Sequence, residues 1–118
     1  MRRRTLPPAL VVLIVAAAGL AAAKGGASLA PKELMQAVLT SIRRDVAGRN
    51  WSSAWRRAGQ FERYWEIHRR SHPGLKASVI RDFRKNLRKL RQHIRLRQPA
   101  GCYLVIGTLR TMVRFLRV

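Results

Sequence analysis

His68 and His72 stand four residues apart, a spacing that sets two imidazoles on one face of a helix and could grip a metal ion from a single turn. No third ligand is evident near them, and His72 directly precedes Pro73, where a helix must end. No metal is therefore expected. Glu62 and Glu66 repeat the same spacing. Paired carboxylates can serve general acid–base chemistry. Here both are expected to point into solvent beside arginines, Glu66 pairing with Arg69 or Arg70, for a few tenths of a kcal/mol each. Cys102 is the single cysteine. It can form no intramolecular disulfide and no cysteine-based zinc site, and no base lies near it in sequence to make it a nucleophile. It is read as a buried apolar side chain. No catalytic residue and no cofactor is expected, and the chain is read as non-enzymatic.

The remaining chemistry is aromatic and cationic. All three tryptophans fall within NWSSAWRRAGQFERYWEIHRRSHPG, Asn50 to Gly74, set among arginines. Aromatic rings beside cations can stack on nucleotides. Spacing decides against that. Trp51, Ala54, Trp55, Ala58, Phe61, Trp65 and His68 recur three and four apart, whereas Arg56, Arg57, Arg63, Arg69 and Arg70 fall mostly elsewhere. The aromatics form a seam with alanines between them, which predicts packing against neighbouring helices. Contact with a membrane interface is the alternative, since tryptophan is enriched at headgroup level. A core of Trp51, Trp55, Phe61 and Trp65 is expected, joined by Phe83, Leu87 and Leu90 of the next segment.

That next segment, KASVIRDFRKNLRKLRQHIRLRQ, is the most cationic. Ile80, Phe83, Leu87, Leu90 and Ile94 make a heptad-like stripe. Around it stand Lys76, Arg81, Arg84, Lys85, Arg88, Lys89, Arg91, Arg95 and Arg97, opposed only by Asp82. A basic amphipathic helix can lie on an anionic membrane or enter a partner's groove. Arg81, Arg84, Lys85, Arg88, Lys89, Arg91 and Arg95 are the candidate contacts. The bland alternative is a solvated outer face, and the two are compatible.

The elements that must position these residues follow from punctuation. Pro31 suits a first helical turn and Gly48 a stop, with Met35, Val38, Leu39, Ile42 and Val46 between at helical spacing. Asn50 is a good N-cap for a helix over Trp51 to Ser71, ended by Pro73-Gly74. A third helix is predicted from Leu75 to about Gln98. Pro99-Ala100-Gly101 reads as a turn. A fourth helix is predicted from Cys102 to about Arg117, in which Gly107 costs roughly 1 kcal/mol relative to alanine. The fold class is all-α, an N-terminal apolar helix followed by a small antiparallel bundle of about four amphipathic helices.

The N-terminus predicts location. Arg2, Arg3 and Arg4 lead an uncharged apolar run, Ala9 to Ala23, that closes on small residues before Lys24. Those are the three parts of an export signal. Counted from Leu6, the stretch also reaches about the lower limit of a spanning helix, roughly 17 to 25 residues. Residues 1–23 are thus a signal peptide or signal anchor, 24–30 a linker, and 31–118 the bundle. No cysteine follows the run, so lipid modification there is not expected. The arginine leader predicts a cytoplasmic N-terminus and an outside domain. The expected location is the cell membrane as a single-pass protein, or secretion after cleavage near Ala23.

The chain has 118 residues and a formal charge of +20, a balance that favours polyanionic partners. Arginine far outnumbers lysine, and a G/C-rich coding bias could yield that without any selected ligand. An apolar fraction of 47% is too high for a disordered basic tail.

A basic leader, one apolar segment, NWSSAWRRAGQFERYW, a histidine-containing turn and IRDFRKNLRKL together resemble a family of small bacterial membrane-anchored proteins, best known from Gram-positive spore formers and classed as a domain of unknown function. The resemblance covers about Leu10 to the C-terminus. Members typically show an asparagine–tryptophan start, a second tryptophan region and a helical C-terminal half. They usually carry many glutamates and lysines, where this chain has arginine and five acids. The resemblance implies a membrane anchor and no catalytic residues. The expected role is docking a partner membrane protein or an anionic lipid or wall polymer. The alternatives are a basic nucleic-acid-binding module and a secreted cationic membrane-active protein.

Overall fold

The computed structural model describes residues 29–117. The predicted N-terminal apolar helix and its signal or anchor lie outside them. Four helices follow one another: α1 (Pro31–Ala47), α2 (Trp51–Ser71), α3 (Ala77–Arg95) and α4 (Pro99–Arg114). Among the described residues there is no strand, and no helix is long and apolar enough to cross a membrane.

Local chemistry explains each boundary. Glu33 near the start of α1 and Arg44 near its end suit the helix dipole. Asn50 caps α2, its side-chain oxygen accepting from the Ser53 amide at 3.3 Å. Pro99 occupies the first turn of α4.

This last point corrects the expected turn at Pro99-Ala100-Gly101. Those residues are helical, and the turn lies at Leu96–Gln98. Proline has a fixed φ and no N–H to lose, so it begins a helix as readily as it breaks one. The other predicted end, at Gln98, moves back to Arg95 for the same reason.

Helices α1 and α3 close with the same device. After α1, the Asn50 amide donates to the Asp45 carbonyl (2.8 Å) and the Arg49 amide to Val46 (3.1 Å). After α3, Gln98 donates to His93 (2.9 Å) and Arg97 to Ile94 (3.0 Å). These paired bonds define Schellman motifs, which need a left-handed residue at the C′ position. Arginine fills it both times, Arg49 at φ 59° and Arg97 at φ 55°. The expected stop at Gly48 lies one residue short of that position.

Short connections make consecutive helices antiparallel, and α4 returns along α1. Lys32 Nζ donates to the Leu116 carbonyl (2.7 Å), Gln36 to the Arg110 carbonyl (3.1 Å), and Arg43 lies over the Tyr103 ring. Each helix therefore packs against two neighbours around one core. That core holds Met35, Leu39 and Ile42 of α1, Ala54, Ala58, Phe61 and Trp65 of α2, Phe83, Leu87, Leu90 and Ile94 of α3, and Cys102, Ile106, Leu109 and Val113 of α4. Burying a side chain of leucine or phenylalanine size is worth about 1.5–3 kcal/mol, so these residues dominate the stability. The described residues form an all-α bundle, as their periodicity predicts.

One close approach shapes the α3–α4 corner. A side chain on Gly101 would strike the His93 ring, whose Nδ1 lies 2.7 Å from Gln98 Oε1. Glycine lets the first turn of α4 lie against that ring.

Candidate anionic-surface site on the third helix

The apolar stripe of α3 turns inward: Phe83, Leu87, Leu90 and Ile94 are buried and Ile80 is half-buried. The helix advances 100° per residue, so the positions between point outward. Arg81, Arg84, Lys85, Arg88, Lys89 and Arg95 are all exposed there, with exposed Asp82 as the acid of that helix. The seven expected contacts thus reduce to six. Arg91, the seventh, turns toward α2. Its Nε and Nη2 donate to the two Glu62 carboxylate oxygens at 2.9 and 3.0 Å, and its guanidinium lies 4.3 Å above the Trp55 ring. A bidentate, stacked arginine is committed within the fold.

Trp55 itself corrects the expected core. It is 42% exposed, whereas Phe61 and Trp65 are buried and Trp51 is half-buried against the core. The bundle axis is met by Ala54, Ala58, Phe61, Trp65 and His68, and Trp55 stands one residue beyond Ala54. A rotation of 100° puts it on the flank facing α3, beside Glu62 two turns on. The arginine cover replaces a hydrophobic one.

Glu62 is accordingly a tie between α2 and α3, its carboxylate partly exposed beside Arg91. Glu66 pairs as expected with Arg69 (2.7 Å) and more loosely with Arg70 (4.0 Å). The hydrogen bond from Arg69 holds the Glu66 carboxyl below its ordinary range, against an opposing desolvation and with help from the charges of Arg69, Arg70 and Arg84. A shallow groove of about 340 Å³ lies between α2 and α3, and Arg84 and Arg88 stand on its wall with Glu62 and Glu66. Arg84 is therefore partly compensated, while Arg81, Lys85 and Lys89 face away from both glutamates.

Sequence reasoning missed a third tie. Ser53 is buried and its Oγ donates to Asp45 at 2.8 Å, with Arg57 Nε 2.9 Å from the same carboxylate oxygen. The signal was available: Ser53 lies between α2 positions already assigned inward, and Asp45 is the only acid near the end of α1.

The two histidines form the end of a ring column. Trp65 stacks on Phe83 at 3.9 Å, lies 6.3 Å from His68, and His68 stacks on His72 at 4.1 Å. His72 Nδ1 is 2.9 Å from the His68 carbonyl oxygen. Rings stacked face to face do not aim their in-plane lone pairs at one point, so this geometry is a packing arrangement. Among the described residues no group of three or more His, Cys, Asp or Glu side chains is placed to hold a metal. His68 is buried, and desolvation lowers its pKa, with the nearby positive charges of His72 and Lys32 adding to the effect. Cys102 is buried too, and its thiol is pushed up to about 11 by desolvation.

No family model matches the chain, and no curated protein or solved structure matches it.

Proposed function

We propose that the chain is a non-enzymatic helical bundle, tethered to or exported across a membrane, that holds to an anionic surface through the outer face of α3. The observation that carries this reading is the division of the cations. Arg57, Arg69 and Arg91 are paired with carboxylates of the bundle itself, Arg69 at its surface. The six on the outer face of α3 are exposed along one side of a helix whose opposite side is core. Each basic residue brought against an acidic bilayer contributes about 1 kcal/mol. Acidic lipid headgroups or a wall polymer would be the partner, and the arginine-led apolar segment would place the bundle outside the cytoplasm.

Fusing residues 1–30 to a reporter active on only one side of the membrane tests the placement. Activity outside is expected, and activity confined to the cytoplasm overturns it. One observation favours a second reading. Trp55 is exposed beside cations, the juxtaposition that nucleic-acid binders use. Steeply salt-dependent binding of RNA or DNA, lost in Trp55→Ala, together with a cytoplasmic location, would establish that reading instead.

A further inference from the structure

The outer face of α4 breaks with the rest of the molecule. In a chain of formal charge +20 it presents Leu104, Thr108, Thr111 and Phe115 in one line, with Ala100 and Gly107 beside them and no charge among the six. Leu104 and Phe115 are 74% and 75% exposed. The cations of α4 lie to one side, Arg110 reaching toward Thr40 on α1. Both threonine hydroxyls donate to a carbonyl one turn back, Thr108 to Leu104 at 3.2 Å and Thr111 to Gly107 at 3.1 Å. Covering them would therefore leave no unmet donor. Phe115 also stands at the wall of a mainly apolar groove of about 880 Å³, shared with Leu75, Val79, Phe83, Met112 and Leu116 and lined as well by Lys76, Asp82 and Arg117.

We propose that this face is where two copies of the chain associate, α4 against α4 in antiparallel register about a two-fold axis. The spacing of the line is four, three and four residues, which reads the same in both directions. A two-fold contact must be self-complementary. Antiparallel pairing sets Leu104 of each copy against Phe115 of the other, at the mouth of the groove, and Thr108 against Thr111. Large side chains meet at both ends and small ones between, which lets the helices approach at the centre. Charge selects the occupant. An acidic partner would be drawn to the cationic faces, whereas two strongly positive copies meet with least repulsion where each presents the fewest cations, here a line of four uncharged side chains flanked by Arg114.

Sedimentation of the full chain in mild detergent tests this. The expected mass is two chains. Leu104→Arg and Phe115→Arg, both at exposed positions, should each weaken association about tenfold or more while leaving helical circular dichroism unchanged. Mixing Thr108→Cys with Thr111→Cys chains under oxidation should cross-link the two variants to each other far faster than either to itself. Buried Cys102 stays out of the reaction. A single-chain mass at every concentration overturns the proposal, as does a dimer indifferent to Leu104→Arg, or self-linking of Thr108→Cys that matches the mixture. A single-chain mass combined with loss of vesicle binding in Leu104→Arg would assign the face to lipid instead. None of these readouts depends on the α3 cations, so they stand or fall separately from the proposed anionic-surface contact.

Discussion

Replacing Arg49 or Arg97 by glycine should make the bundle more stable, although each substitution removes a whole side chain. Both arginines sit at the left-handed residue of a Schellman motif, at φ 59° and 55°. An L-residue there costs about 1–2 kcal/mol from the approach of Cβ to the following carbonyl, and glycine escapes that cost. Glycine also loses more freedom on folding, which takes back about 0.5–1 kcal/mol. The net gain is about 0.5–1 kcal/mol per site. For a domain of 60–100 residues, each kcal/mol raises Tm by about 4–8 °C. The two sites cap different helices and should add, giving about 1–2 kcal/mol for the double variant. Both side chains are exposed, so little packing is lost. Charge relief in so cationic a chain is the competing cause, and Arg→Gln at the same sites separates it by removing the charge without freeing the backbone. Thermal melts followed by circular dichroism decide. Glycine variants more stable than the glutamine variants are expected. Equal gains from glycine and glutamine would refute the backbone argument, and a loss on glycine substitution would show that the arginine side chains are held.

Two glycines should respond oppositely to alanine. Gly107→Ala meets open space and gains about 1 kcal/mol of helix propensity, whereas Gly101→Ala strikes the His93 ring and should lose about 1–3 kcal/mol in spite of the same propensity, both read by chemical denaturation. Because burial depresses the folded-state pKa of His68, the unfolded chain binds more protons than the folded one below about 6.5, and stability should fall as pH drops through that value. His68→Leu should flatten this dependence between pH 7.5 and 5; an unchanged slope would point to another group. Cys102, buried and with its thiol raised to about 11, should resist maleimides in the folded chain and react within the unfolded one, so rapid labelling at neutral pH would contradict its placement in the core.

Helix content was legible because the relevant signals are local. Asn50 and Pro73 mark the ends of α2 by side-chain capping and a missing donor, and the stripe from Ile80 to Ile94 fixes the inner face of α3 without reference to any neighbour. The misplaced features depend on neighbours. Whether Trp55 or Ala54 meets the bundle axis is a rotation of 100°, and both choices satisfy the same three-and-four spacing. Only the position of α3 decides it, and with it the pairing of Arg91 with Glu62. Pro99 carries equal local weight as a turn and as a first helical residue, and the Schellman closure at Arg97 resolves it. Of the seven cations expected to face an anionic partner, six are exposed on α3 because amphipathic phase alone determines that side. Arg91 differs because its fate rests on an acid 29 residues away.

The central claim is that the outer face of α3 holds an anionic surface. Co-sedimentation of residues 24–118, the form expected after cleavage near Ala23, with acidic and with zwitterionic vesicles tests it most directly. Binding should require acidic lipid and weaken with salt. Replacing Arg81, Arg84, Lys85, Arg88, Lys89 and Arg95 together by glutamine should reduce it by about ten-thousandfold, at about 1 kcal/mol for each residue. Undiminished binding of that variant, or equal binding to zwitterionic vesicles, would contradict the account.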